Sequence, residues 1–85
     1  MGTFFTVRIE QNNRVMCYSL SDSQVTDVKT AMDYCKNKPE FIGKKTVRVS
    51  KRDYFKALQY GNAVVEVEIR QGNKTRKTHY LLLPE

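Results

Sequence analysis

Apolar and polar side chains alternate from the first residues of the chain. Phe5, Val7 and Ile9 are interleaved with Thr6, Arg8 and Glu10, the period-two pattern of a strand with one buried face and one wet face. Gln11-Asn12-Asn13-Arg14 follows, and asparagine tolerates the positive φ that a tight turn demands. Apolar residues resume from Val15 to Leu20, so the two segments read as a β-hairpin. Ser21 and Gln24 then have the spacing of a capping box, and Asp22 puts negative charge where a helix dipole is positive. Val25, Val28, Met32 and Cys35 recur at steps of three and four and make one apolar stripe, with Thr26, Asp27, Lys29, Thr30 and Asp33 turned away. This spacing predicts a helix from about Ser21 to Lys36, stopped before Pro39.

Pro39 to Lys45 reads as a loop, and Thr46-Val47-Arg48-Val49 as a short third strand. Ser50 is placed to cap a second helix, Lys51 to Tyr60, with Gly61 as its C-terminal stop. Tyr54, Phe55, Ala57 and Leu58 are the residues available to pack it down. Ala63 to Arg70 alternates again, with Val65, Val67 and Ile69 on one side and Glu66, Glu68 and Arg70 on the other. Gln71-Gly72-Asn73-Lys74 is a turn signal, and Thr75 to Leu83 returns as a fifth strand. Glu66 and Glu68 are expected to form cross-strand ion pairs.

The order β-β-α-β-α-β-β, with a hairpin at each end, predicts an α+β fold on a five-stranded, mainly antiparallel sheet. Each helix has one apolar stripe. The economical packing therefore sets both helices on one face and leaves the other face in water, a two-layer sandwich. Eighty-five residues bury enough surface for one core and no more, so a single domain over residues 1–85 is expected.

Composition narrows the function by exclusion. The longest apolar run, Tyr80 to Leu83, is far below the roughly 18 residues that span a bilayer. The first ten residues lack the basic start and apolar block of a secretory signal, so a cytoplasmic protein with no membrane contact is expected. Cys17 and Cys35 are too few for a disulfide scaffold and are expected to be buried thiols. Together with the only histidine, His79, they are also too few for a metal site, and no cofactor motif is present. Gly43-Lys44-Lys45 lacks the glycine and helix placement of a phosphate-binding loop. No base lies near a nucleophile in the pattern, His79 reads as an ordinary strand residue, and a non-enzymatic chain is expected.

Charge supplies the remaining signal. Residues 1–35 hold three basic against four acidic side chains, whereas residues 36–85 hold twelve basic against five acidic. The basic half contains two concentrations. Lys44, Lys45, Arg48, Lys51 and Arg52 run through the third strand into the second helix. Arg70, Lys74, Arg76 and Lys77, with His79 nearby, mark the last hairpin. If the two share a face they form a groove for a nucleic-acid backbone. The expected function is a small binding module that holds nucleic acid through phosphate contacts without reading sequence. Recognition signatures of the known RNA-binding and zinc-finger modules are absent, and Phe4, Tyr18, Tyr34 and Tyr60 are the only aromatics left over for base stacking. The competing expectation is a small regulator or inhibitor, of the sort phages and plasmids encode. It would dock on an acidic or nucleic-acid-binding protein surface, through the basic patch or through the fifth strand as a sheet edge.

Overall fold

The computed structural model describes residues 2–21 and 25–85. Seven elements follow in the predicted order: β1 (Thr3–Gln11), β2 (Arg14–Ser21), α1 (Val28–Cys35), β3 (Lys44–Val49), α2 (Lys51–Gln59), β4 (Val64–Gln71) and β5 (Lys74–Pro84). The strands form one sheet in the order β2-β1-β4-β5-β3, and every neighbouring pair is antiparallel. The α+β class, the five antiparallel strands and their order along the chain are thus those expected from the alternation.

The register shows why. Phe5, Val7 and Ile9 of β1 lie directly opposite Ile69, Val67 and Val65 of β4, and all six are buried. Leu20 opposite Phe5 extends this layer onto β2. The β1–β2 turn places Asn12 and Asn13 at φ 51° and 67°, the left-handed conformation that asparagine accepts at low cost.

Helix α1 starts later than the capping-box spacing predicts. Ser21 is the last residue of β2, paired with Phe4 across the sheet, and Asp22 and Gln24 fall outside the described residues. Asp27 caps the helix instead. Its carboxylate accepts the Thr30 N–H at 2.8 Å, while the Thr30 hydroxyl accepts the Asp27 N–H at 3.0 Å. Two segments had cap chemistry, and sheet pairing claimed the first. Helix α2 begins as expected, with the Ser50 hydroxyl accepting the Asp53 N–H at 3.1 Å, and Gly61 ends it at φ 82°.

The two-layer arrangement is not what forms, because the helices lie on opposite faces of the sheet. α1 contributes Ala31 and Cys35 to the layer of Phe5, Val7, Ile9, Val65, Val67, Ile69 and Leu82. α2 contributes Tyr54, Ala57 and Leu58 to a separate cluster with Val64, Leu81 and Val49, whose side chains alternate to the other side of β4, β5 and β3. The cause is topological. By the antiparallel pairings, β2, β3 and β4 all run in one direction, so α1 and α2 each complete a crossover between parallel strands. The first crossover travels from the β2 edge to the β3 edge, and the second travels back to β4. Two connections of the same, right-handed sense that move in opposite directions must use opposite faces. One apolar stripe per helix requires one covered patch each, not a shared one.

A second difference concerns the edges. β5 lies between β4 and β3 only over its second half, residues 79–84, so the expected fifth-strand edge is confined to its first half, residues 74–78, beyond the end of β3. The edges are β2 on one side, and β3 with the first half of β5 on the other. Among the described residues, no helix is long and apolar enough to cross a membrane.

Candidate functional site

β3 forms one border of the sheet and pairs only with the second half of β5. Lys44, Lys45 and Arg48 are all exposed on it. Arg48 and Lys44 lie opposite Tyr80 and Pro84 and point to the α1 face, while Lys45, opposite Leu83, points to the α2 face. The chain leaves β3 at Val49 and enters α2 after Ser50, so the exposed Lys51 and Arg52 continue the same border in the first helical turn. In the last hairpin, Lys74 and Arg76 alternate to the α1 face and Arg70 and Lys77 to the α2 face. The nine cations therefore do not share a face. Most of them wrap around the β3 side of the sheet.

Two of the nine stand apart. Lys77 reaches the Glu66 carboxylate at 3.9 Å. Arg70 lies on the interior strand β4, opposite Phe4 of β1, beside a small depression that it shares with Phe4, Thr6 and Glu68. Seven remain on the flank: Lys44, Lys45, Arg48, Lys51, Arg52, Lys74 and Arg76. Among the described residues, none of these has a carboxylate within 4.0 Å. Asp53, in the first turn of α2, is the acid that tempers Lys51 and Arg52 against the helix dipole. At about 3.3 Å per residue, the eleven residues of β5 extend the flank over roughly 35 Å. The charge is drawn out as a line, which matches a repeating polyanion better than a single bound anion.

Arg48 also acts on its cross-strand neighbour. Burial raises the Tyr80 hydroxyl above its ordinary value, and the Arg48 guanidinium pulls it the other way. Of the four aromatics considered for stacking, Phe4, Tyr34 and Tyr60 are exposed and Tyr18 is partly buried. The Tyr18 hydroxyl donates to Glu40, and Lys38 sits 5.3 Å from its ring. Phe4 is on β1, Tyr34 on α1 and Tyr60 at the far end of α2, away from the cations, whereas Phe55, expected to pack α2 down, is 47% exposed one helical turn beyond Lys51 and Arg52.

His79 does not join the hairpin cations. It is 6% exposed, lies directly opposite Glu66, and its Nε2 is 2.8 Å from the Glu66 carboxylate. The Tyr54 ring packs on it from α2 at 4.6 Å. Glu66 thus makes cross-strand pairs with both His79 and Lys77, as expected, whereas Glu68, expected to do the same, has no cationic side chain within 4.0 Å among the described residues. The Tyr54 hydroxyl is fully buried and has no hydrogen-bond partner among the described residues. Its pKa is raised, first by burial and then by the Glu66 charge.

The cysteines divide. Cys35 is buried in the α1 layer, and burial pushes its thiol up. Cys17 is exposed on β2, contrary to the expectation of two buried thiols, because its alternating position turns it to the part of the α2 face that α2 does not cover. Among the described residues, no group of three or more His, Cys, Asp or Glu side chains is placed to hold a metal ion. A groove of about 830 Å³ opens beside the β1–β2 turn, with Ile9, Met16 and Leu82 in its lining. Of the nine candidates, only Lys44 borders it.

Comparison with known proteins yields no relative: no family model matches the chain, and neither a curated protein nor a solved structure matches it significantly.

Proposed function

We propose that this chain is a non-enzymatic binding domain that holds the phosphate backbone of a nucleic acid along its β3 flank, without reading base sequence. The observation that carries this reading is the line of seven exposed cations on β3, the start of α2 and β5, none paired with a carboxylate among the described residues. Lys44, Lys45 and Arg48 engage phosphates from the sheet border. Lys51 and Arg52 add two contacts where the chain turns into α2, and Lys74 and Arg76 extend the footprint. Contacts from these side chains to the phosphate backbone carry no sequence information.

The alternative, docking on a partner protein, rests on the sheet's other border, which is free of charge from Val15 to Ser21. Salt separates the two readings. If five of the seven cations each neutralise a duplex phosphate, the affinity should fall about 500-fold between about 50 and 200 mM salt, whereas a packed protein interface responds far less. Fluorescence anisotropy with a labelled duplex and a labelled single strand measures this. Binding that steepens in this way supports the proposal, and failure of both probes to bind at low salt refutes it.

A further inference from the structure

The two borders of the sheet are built differently. β3 carries Lys44, Lys45 and Arg48 along its six residues, the charge by which an edge strand repels unwanted pairing. β2 carries no charge after Arg14, contains no proline, and exposes Val15, Met16 and Cys17. Its outer backbone groups are the longest uncharged edge on the described molecule, since β2 pairs with β1 alone. Such an edge is a template for another strand.

We propose that two copies of this chain pair antiparallel through the outer edges of their β2 strands, with Cys17 opposite its own counterpart on the twofold axis. A second copy is the occupant that the charge distribution favours. The uncharged strand is complementary to itself and brings no like charges opposite one another. The basic flanks end up at the two far borders of a ten-stranded sheet, about 43 Å apart at roughly 4.8 Å per strand, where their mutual repulsion is screened at physiological salt.

Symmetry restricts the register. A twofold axis perpendicular to the sheet keeps each face on its own side, so a residue must meet one of the same parity, and the central residue meets itself. Centring on Cys17 sets the exposed Met16 against the partly exposed Tyr18 on the α1 face, and the exposed Val15 against the exposed Ser19 on the α2 face. Centring on Tyr18 would instead set Met16 against Leu20, whose side chain is already 4% exposed inside the core and has no surface left to offer.

Charge exchange at position 17 tests this pairing. Sedimentation velocity of the full chain, under reducing conditions and on the order of 100 µM because a strand-edge contact is a small interface, should show a dimer. Cys17→Lys and Cys17→Glu should each weaken it at least tenfold, because like charges then oppose each other across the axis, and an equimolar mixture of the two variants should restore it. Mild oxidation gives a second readout that needs no charged variant. The wild type and Cys35→Ser should form a disulfide-linked dimer, and Cys17→Ser should not. A monomeric wild type at that concentration, a dimer that ignores both charged variants, or a mixture no better than either alone would each overturn the proposal.

Discussion

Replacing Tyr54 by phenylalanine should stabilise the fold, although it removes a polar group from the heart of the α2 cluster. The ring is fully buried and packs on His79 at 4.6 Å and on Phe55 at 5.0 Å, contacts that phenylalanine keeps. The hydroxyl makes no hydrogen bond among the described residues, and a buried unsatisfied hydroxyl costs about 1–3 kcal/mol relative to an apolar group of the same shape. Relaxation of the surroundings recovers part of that. The net gain expected for Tyr54→Phe is therefore about 1 kcal/mol, equivalent to a rise in melting temperature of about 4–8 °C for a domain of this size. Truncation to alanine removes the ring as well and should cost about 3–5 kcal/mol, close to the whole stability of a small domain. Urea denaturation followed by circular dichroism measures both, with the slope of the transition checked for constancy. A loss of 1 kcal/mol or more in Tyr54→Phe at unchanged slope would show that the hydroxyl has a partner, Glu66 first among the candidates, and would refute the reasoning.

Ser50→Ala should destabilise the chain by about 1 kcal/mol in the same assay, because it leaves the Asp53 N–H without its cap at the start of α2. The hydrogen bond from the Thr30 N–H lowers the Asp27 carboxyl below its ordinary 3.8. That contribution is present above pH 3.8 and lost as the pH falls through the depressed value, so Asp27→Asn should flatten the acid limb of a stability–pH curve. At the alkaline end the sign reverses. The hydrogen bond to Glu40 is the main cause that holds Tyr18 up at about 12, so its contribution is present below pH 10 and lost as the pH rises towards 12. Glu40→Gln should bring the tyrosinate absorbance of the folded protein to lower pH.

The strands were legible because alternation is a direct record of which side chains face the core, and Phe5, Val7, Ile9, Val65, Val67 and Ile69 fill the positions that pattern assigns them. Helix α2 was legible through Ser50 and Gly61, whose chemistry suits only the two ends of a helix. The start of α1 was not, because Ser21 and Asp27 both have capping chemistry and only pairing of Ser21 with Phe4 decides between them. The placement of the helices depends on strand order, which no local pattern encodes. The handedness of crossovers fixes it once the β3 border is known. The same missing strand order kept the candidate flank out of reach. Lys44 to Arg52 could be read as one basic stretch, but the separation of Arg70 and Lys77 from Lys74 and Arg76 follows from the register of β4 and β5. His79 beside cations in sequence proved to be a buried partner of Glu66, since its neighbours Lys77 and Thr78 say nothing of α2 crossing above it.

The number of phosphates engaged by the flank tests the central claim most directly, and it is the slope of binding affinity against salt on logarithmic axes. The double variant Arg48→Gln/Arg76→Gln should lower the magnitude of that slope for duplex by about 1.8, or about 0.9 for each phosphate no longer neutralised, while Arg70→Gln, set apart on the interior strand, should leave it unchanged. A slope unaltered by the double variant, or reduced equally by Arg70→Gln, would contradict a polyanion held along the β3 border.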